Sequence, residues 1–260
     1  MPEFELEQTG STMVLRLNRA AKRNAINYEM LDQLQQAITK IDRDQEIRAV
    51  VLTGTDDNFC AGGDIKAWSG LSAAEFGNQW LREGHAVFDA LARLRQPVIA
   101  AINGHALGGG LELAACADYR IAEAQTRFGL PEAGLGIIPG WSGTQRTVRR
   151  FGSQVVRRMA IFGEIFDAST AQQLGIVDQV VEAGQSATAA REFAGRLQAR
   201  GPQATELIKM LLNAAEGEEQ ERVLEVIAGR VAAQTADLAE GVAAFAEKRA
   251  PRFGQKEDEQ

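Results

Sequence analysis

The chain has 260 residues, 45% of them hydrophobic and 24% charged, enough to bury a sizeable core in one large domain or a domain with a small appendage. Its formal net charge of −7 argues against general binding to nucleic acid or an anionic membrane, while leaving room for a local basic patch. No apolar run reaches the length of a membrane span, and the acidic start MPEFELEQ is unlike a secretory signal, so a cytoplasmic location is expected.

Taken in order, Phe4 to Asn18 reads as a hairpin turning at Thr9-Gly10-Ser11. Arg19 to Asn27 is a basic polar loop. Tyr28, Leu31, Leu34, Ile38 and Ile41 then share one helical face. Arg48 to Gly54, RAVVLTG, predicts a strand buried on both faces. Asp56 to Lys66 forms a glycine-containing turn, and loop is expected to about Ala74. A long helix should run from Phe76 to Leu94, and the apolar run Pro97–Ile102 leads to a second glycine turn. The two cysteines, Cys60 and Cys116, lie in apolar stretches without metal or disulfide spacing, which predicts buried reduced thiols.

Strand, glycine turn and helix thus alternate, which implies an α/β architecture without a visible sequence repeat. After Arg146 the pattern is mainly helical. Short helices are expected at Val155–Phe162 and Ala168–Leu174, and a short strand at Asp178–Val181. Amphipathic helices follow at Thr188–Ala199, Gln203–Ala215 and Glu219–Glu247. A composition shift near Gly184 suggests a core of residues 1–184 and a helical region of 185–260. The apolar faces of the late helices call for a partner, in the core or on another subunit.

The organising stretch runs from Ala101 to Arg146. Asn103-Gly104 and the triple glycine Gly108-Gly109-Gly110 precede LELAACA, a buried helix start that carries Glu112. Glu132 follows twenty residues later in a Pro-Glu-x-Gly-Leu-Gly loop. A helix, a short strand and a turn fit in that interval, so the two carboxylates can meet. Glycines let backbone N–H groups approach a ligand, and a helix's first turn leaves such donors unpaired. A carboxylate in an apolar frame gains a raised pKa, which suits proton transfer near neutrality.

The segments KRNAIN, FCAGGDIK, AAINGHALGGGLELAACAD, FGLPEAGLGIIPG, SGTQR and FAEKRAPRF together resemble the crotonase family, also called the enoyl-CoA hydratase/isomerase superfamily. The resemblance runs from Leu17 to Phe253. It implies a spiral of ββα units with a C-terminal helical region that packs in a trimer, often stacked as a hexamer. It implies an acyl-CoA thioester as substrate, with coenzyme A part of that substrate and no separate cofactor or metal. The thioester oxygen would be held by the N–H groups of Gly63 and Gly109. Glu112 and Glu132 match the two glutamates of the family's hydratases, Glu112 handling the water and Glu132 the proton for the α-carbon.

The CoA path would follow Lys22, Arg23 and Ala25, then Ala61, Asp64, Ile65 and Lys66. Phe245 would approach the acyl pocket, and Lys248 a CoA phosphate of a neighbouring subunit. Three departures stand out. Ala20 replaces the usual proline, Gly63 stands where many members have alanine, and Trp141 occupies a position that is often small. The indole belongs either to the acyl pocket or to the core. His85 and His105 are expected to be structural. The leading reading is a 2-enoyl-CoA hydratase of fatty-acid or related acyl-CoA degradation. The alternatives are an isomerase, a specialised dehydratase or carbon–carbon lyase in the same frame, and, less favoured, a non-catalytic RNA-binding relative. The basic residues are scattered among acids, with Arg146-Arg149-Arg150 and Arg157-Arg158 the densest spots, and the acidic total disfavours a nucleic-acid partner.

Overall fold

A computed structural model describes residues 2–254. The hairpin forms as read: β1 (Phe4–Thr9) pairs antiparallel with β2 (Thr12–Leu17), Phe4 facing Leu17 in register. The loop after it contains one 3₁₀ turn, Ala20–Lys22. Helix α1 (Tyr28–Arg43) starts where Asn27 accepts the Met30 N–H on its side chain, and it buries Leu31, Leu34, Ile38 and Ile41, the face given by their spacing. Strand β3 (Ala49–Thr53) is buried throughout.

The expected loop to Ala74 instead contains a short helix, α2 (Ile65–Trp68), capped by the Asp64 side chain. A four-residue helix is too short to show an apolar period. The long helix is also interrupted. A turn α3 (Ala73–Glu75) leads into a π-helical stretch, Phe76–Leu81, before α4 (Arg82–Ala92). Such wide turns are uncommon and often lie at functional sites.

Strand β4 (Val98–Ile102), the short β5 (Ala106–Leu107), α5 (Gly109–Ala115), β6 (Tyr119–Glu123) and β7 (Arg127–Gly129) complete the central alternation. Then come α6 (Arg146–Phe151), α7 (Ser153–Ala160), β8 (Phe166–Asp167), α8 (Ala168–Gln173) and β9 (Gln179–Val181). Among the described residues, one sheet has the order β1-β2-β3-β4-β6-β9, parallel from β2 onward, and a second has the order β5-β7-β8. This α/β arrangement, with helices following the strands, is the expected fold class.

The larger sheet is buried on both faces. Val50, Leu52, Val98, Ala100 and Ile102 point into the main core with α1 and α4. Their neighbours Val51, Ile99 and Ala101 point the other way, onto Ala190 and Ala194 of α9 (Ser186–Gly195). Continuously apolar strands follow from this double covering.

By contacts the chain forms two compact units, one running to Lys209 and one beginning at Met210. Helix α9, although it follows the composition shift at Gly184, therefore belongs to the first unit and seals its sheet. Helix α10 (Pro202–Ala215) begins in the first unit, where Lys209 Nζ donates to Asp118 Oδ2 at 2.7 Å and to the Gln96 carbonyl at 3.0 Å. The second unit continues with α11 (Gln220–Ala232) and α12 (Ala236–Glu247). The single helix expected over 219–247 is thus two, because Thr235 caps a new start by accepting the Leu238 N–H. Among the described residues, no helix is long and apolar enough to cross a membrane.

Candidate active site

Two loops leaving the parallel sheet build the site. The Arg19–Asn27 loop is stitched to the first glycine turn. Ala61 N donates to the Arg23 carbonyl at 3.0 Å, Ile26 N to the Gly62 carbonyl at 2.8 Å, and Asp64 N back to Ile26 at 2.7 Å. Consecutive left-handed residues, Arg23 and Asn24, turn the first loop, and fully buried Asn24 donates to the Asn58 carbonyl at 2.6 Å. Lys22, Arg23, Ala25, Ala61, Asp64, Ile65 and Lys66 therefore cluster on two joined loops. Lys22, Arg23, Ala61, Ile65 and Lys66 are exposed there.

Asp64 is committed differently from its neighbours. Its carboxylate caps α2 and pairs with Arg19 Nη1 at 2.8 Å. Burial opposes the charge, but these bonds win and hold the carboxyl below its usual range. Phe245 and Lys248 lie in the second unit, on and just after α12. Phe245 is exposed, and Lys248 closes the helix in a left-handed conformation.

The triple glycine supplies the second turn. Gly108 has φ +53° and begins α5, which only a residue without a Cβ does at little cost. A Cβ on Gly110 would overlap the Cys60 carbonyl, so the helix start can rest directly on the first glycine turn. The result is close approach of two backbone nitrogens. A Cβ built on Gly109 would lie 3.4 Å from Gly63 N. Among the described residues, neither the Gly63 nor the Gly109 N–H is donated to a chain acceptor. Two unpaired donors on glycines this close in space are able to hold an oxyanion.

Both carboxylates open onto the same cavity, together with Gly63 and Gly109. Glu112, in the first turn of α5, is almost fully buried, and its Oε1 accepts Trp141 N at 2.6 Å and Gly143 N at 2.7 Å. Burial and the neighbouring Glu132 charge push its carboxyl up to about 8, despite those two bonds. Glu132 sits in a 3₁₀ turn, Glu132–Leu135, and its buried Oε2 has no hydrogen-bond partner. Burial pushes it up to about 7. Two raised carboxyls at one cavity retain a proton near neutrality, so the pair can offer an acid and a base together.

The bonds on Glu112 come from a segment whose role the sequence reading missed. Ser142 lies between the two donors at φ +73°, and its Oγ is 3.2 Å from His85 Nε2. His85 in turn lies 3.6 Å from Asp89, which Arg146 Nη2 holds at 2.6 Å. His85 is structural, as expected, but it supports the loop that grips Glu112. The only sequence signal was the Ser142-Gly143 pair in PGWSGTQR.

Trp141 lies in the core and also lines the cavity. Its indole packs on Trp80 and Phe88, with ring centroids 4.9 and 5.0 Å away, and Nε1 donates to the Trp80 carbonyl at 3.3 Å. Cys60 and Cys116 are free and buried, and burial pushes the Cys60 thiol up to about 12, away from thiolate chemistry.

Known proteins resemble this chain over most of its length. The family model described as enoyl-CoA hydratase/isomerase matches residues 7–256. A crotonyl-CoA hydratase of Syntrophomonas wolfei is 36% identical over 95% of this chain and 96% of its own. A short-chain-enoyl-CoA hydratase of Clostridium acetobutylicum is 39% identical over 80% of both chains. Among solved structures, an enoyl-CoA hydratase from Bacillus anthracis superposes with a TM-score of 0.80 at 33% identity, covering 98% of this chain and all (100%) of the other. Pseudomonas aeruginosa DspI superposes with a TM-score of 0.81 at 35% identity, over 97% of each chain. The match over nearly the full length, on a fold that joins two glycine turns to a pair of buried carboxylates, makes this chain a member of the enoyl-CoA hydratase/isomerase family.

Proposed function

We infer that this chain is an enoyl-CoA hydratase, a carbon–oxygen lyase that adds water reversibly to a 2-enoyl-CoA to give a 3-hydroxyacyl-CoA. The observation that carries the chemistry is the meeting of two raised carboxyls with two unpaired glycine N–H groups at one cavity. The thioester carbonyl oxygen accepts from Gly63 and Gly109, which stabilises the enolate as charge develops. A water between the carboxylates supplies the nucleophile.

In the reactive form the proton shared by the pair rests on Glu132 and Glu112 is ionised; Glu112, with Oε1 occupied by two N–H donors, orients the water and takes its proton as oxygen bonds to the β-carbon. Glu132 gives a proton to the α-carbon, so one water is added across the double bond. The two carboxyls then exchange the proton to reset the site. No group besides the CoA of the substrate enters this scheme. The joined loops bearing Lys22, Arg23, Ala61, Ile65 and Lys66 hold the CoA moiety through backbone and basic side chains. Lys248 and Phe245 complete the site from a neighbouring subunit of a trimer or hexamer. A cytoplasmic location belongs to the same proposal.

Incubation with 2-enoyl-CoA esters tests the reading. The conjugated thioester absorbance should fall and a 3-hydroxyacyl-CoA should accumulate. A shifted double bond with no hydroxyl gained would mean isomerase chemistry instead.

A further inference from the structure

The wall behind the two glycine donors is an indole, and its placement bears on which acyl groups the site accepts. Trp141 is 3% exposed and therefore fixed. A Cβ on Gly109 would stand 2.8 Å from its Cζ3, and one on Gly63 would stand 3.6 Å from its Cη2. The six-membered ring thus packs against both glycines at the cavity they line. Its own backbone N–H grips Glu112, which fixes the main chain from which the ring projects, and the ring itself is held by Trp80 and Phe88.

The opposite edge of the indole is clamped by α4. A Cβ on Gly84 would overlap Trp141 Nε1, so the helix leaves a notch there that the indole fills. Trp80, itself buried, packs beside it and accepts the Nε1–H on its carbonyl. An acyl chain whose thioester oxygen lies between Gly63 and Gly109 enters a cavity that Trp80 and Trp141 line. Two buried rings that support each other in a filled core do not yield to an extra methylene without strain.

We propose that Trp141, seated in the Gly84 notch against Trp80, closes the buried end of the acyl pocket and restricts this enzyme to short-chain enoyl-CoA substrates. The proposal rests on the hydratase reading for its chemistry, but the length limit is a property of the cavity alone. It makes Trp141 a specificity-determining residue, acting through volume and not through proton transfer.

The test compares wild type, Trp141→Ala and Trp141→Leu on trans-2-enoyl-CoA esters of four, eight and twelve carbons. Removal of a buried indole threatens folding, so the leucine variant keeps an apolar filler while still shortening the wall. Wild type should favour the four-carbon ester over the eight-carbon ester in kcat/KM by at least about tenfold, the lower range for crowding in an apolar pocket. Either folded variant should move that ratio toward the longer ester by a similar factor. Wild type that hydrates all three lengths equally would overturn the proposal, as would variants that fold and leave the ratio unchanged. Calorimetry with saturated butanoyl- and octanoyl-CoA asks the same question without chemistry. Preferential binding of the short thioester by a protein that hydrates no ester would keep the length limit and overturn the hydratase reading.

Discussion

Trp141 donates its backbone N–H to Glu112 Oε1 over 2.6 Å, a contact between residues twenty-nine positions apart. Gly143 donates to the same oxygen at 2.7 Å. One side of the carboxylate is thereby fixed, and its other oxygen remains for chemistry. The consequence is a buried acid that is well oriented yet raised toward neutrality.

The carboxylates should each be required. Glu112→Gln and Glu132→Gln are expected to lower kcat by at least about 10² each, the lower range for a positioned acid or base. Acyl-CoA binding should change little, because backbone holds the thioester. The double variant should be far less than multiplicatively worse, since both groups act on one water. Absorbance assays with calorimetric binding decide it, and near-normal hydration by either single variant would refute the scheme.

Stability should move opposite to activity. Burial and the neighbouring Glu132 charge push the Glu112 carboxyl up from the ordinary 4.5 to about 8 in the fold. A raised value means that the protonated form favours folding. Its contribution is complete below the unfolded value and is lost as pH rises through about 8. Glu112→Gln keeps an acceptor for the two N–H donors but cannot ionise. Its Tm should therefore exceed that of wild type by a margin that widens from pH 5 to pH 9, the underlying stability difference reaching about a few kcal/mol at most. Thermal unfolding across that range checks it, and a constant or shrinking margin would contradict the burial argument.

The backbone donors should tolerate a side chain but not the loss of a hydrogen. Gly63→Pro removes the N–H and should cost about 10²–10³ in kcat. Gly63→Ala keeps it. Its Cβ would stand 3.1 Å from Trp80 Cζ2, so the ring must give by a few tenths of an ångström, and activity should stay within about tenfold of wild type. Equal losses in the two variants would point to crowding and not to a lost donor.

Ser142 should matter through its backbone as well as its hydroxyl. At φ +73° a non-glycine residue carries about 1–2 kcal/mol of conformational cost. Ser142→Gly removes that cost and Ser142→Ala keeps it, while both lose the His85 contact, so their difference isolates the backbone. The glycine variant should be the more stable of the two by about 1 kcal/mol in chemical denaturation, with KM unchanged in both. The reverse order would show that the left-handed backbone at this position carries no such cost.

Assembly should complete the CoA site. Lys248→Ala is expected to raise KM more than it lowers kcat, with a defect that shrinks for a thioester lacking the 3′-phosphate. Sedimentation with activity assays should show no active monomer. A fully active monomer would defeat this part of the proposal.

Much of this protein is legible in its residues alone. The hairpin, α1 and the buried strand β3 follow from local apolar period and turn residues, which act within a few positions. The glycine turns and the Glu112–Glu132 pair were visible because glycine marks where backbone must come close and because carboxylates in apolar segments are rare. What the tertiary structure decided is of another kind. The approach of Gly109 to Gly63, the grip of Trp141 on Glu112 and the notch at Gly84 join segments that are distant in sequence, and they exist only once the strand order has closed. The π-helical stretch before α4 and the break at Thr235 escape a periodicity reading, since each changes the backbone over a few residues while the apolar spacing continues. The upward shift of both carboxyls is likewise collective: no single neighbour removes water from Glu112, and only the packed cavity does.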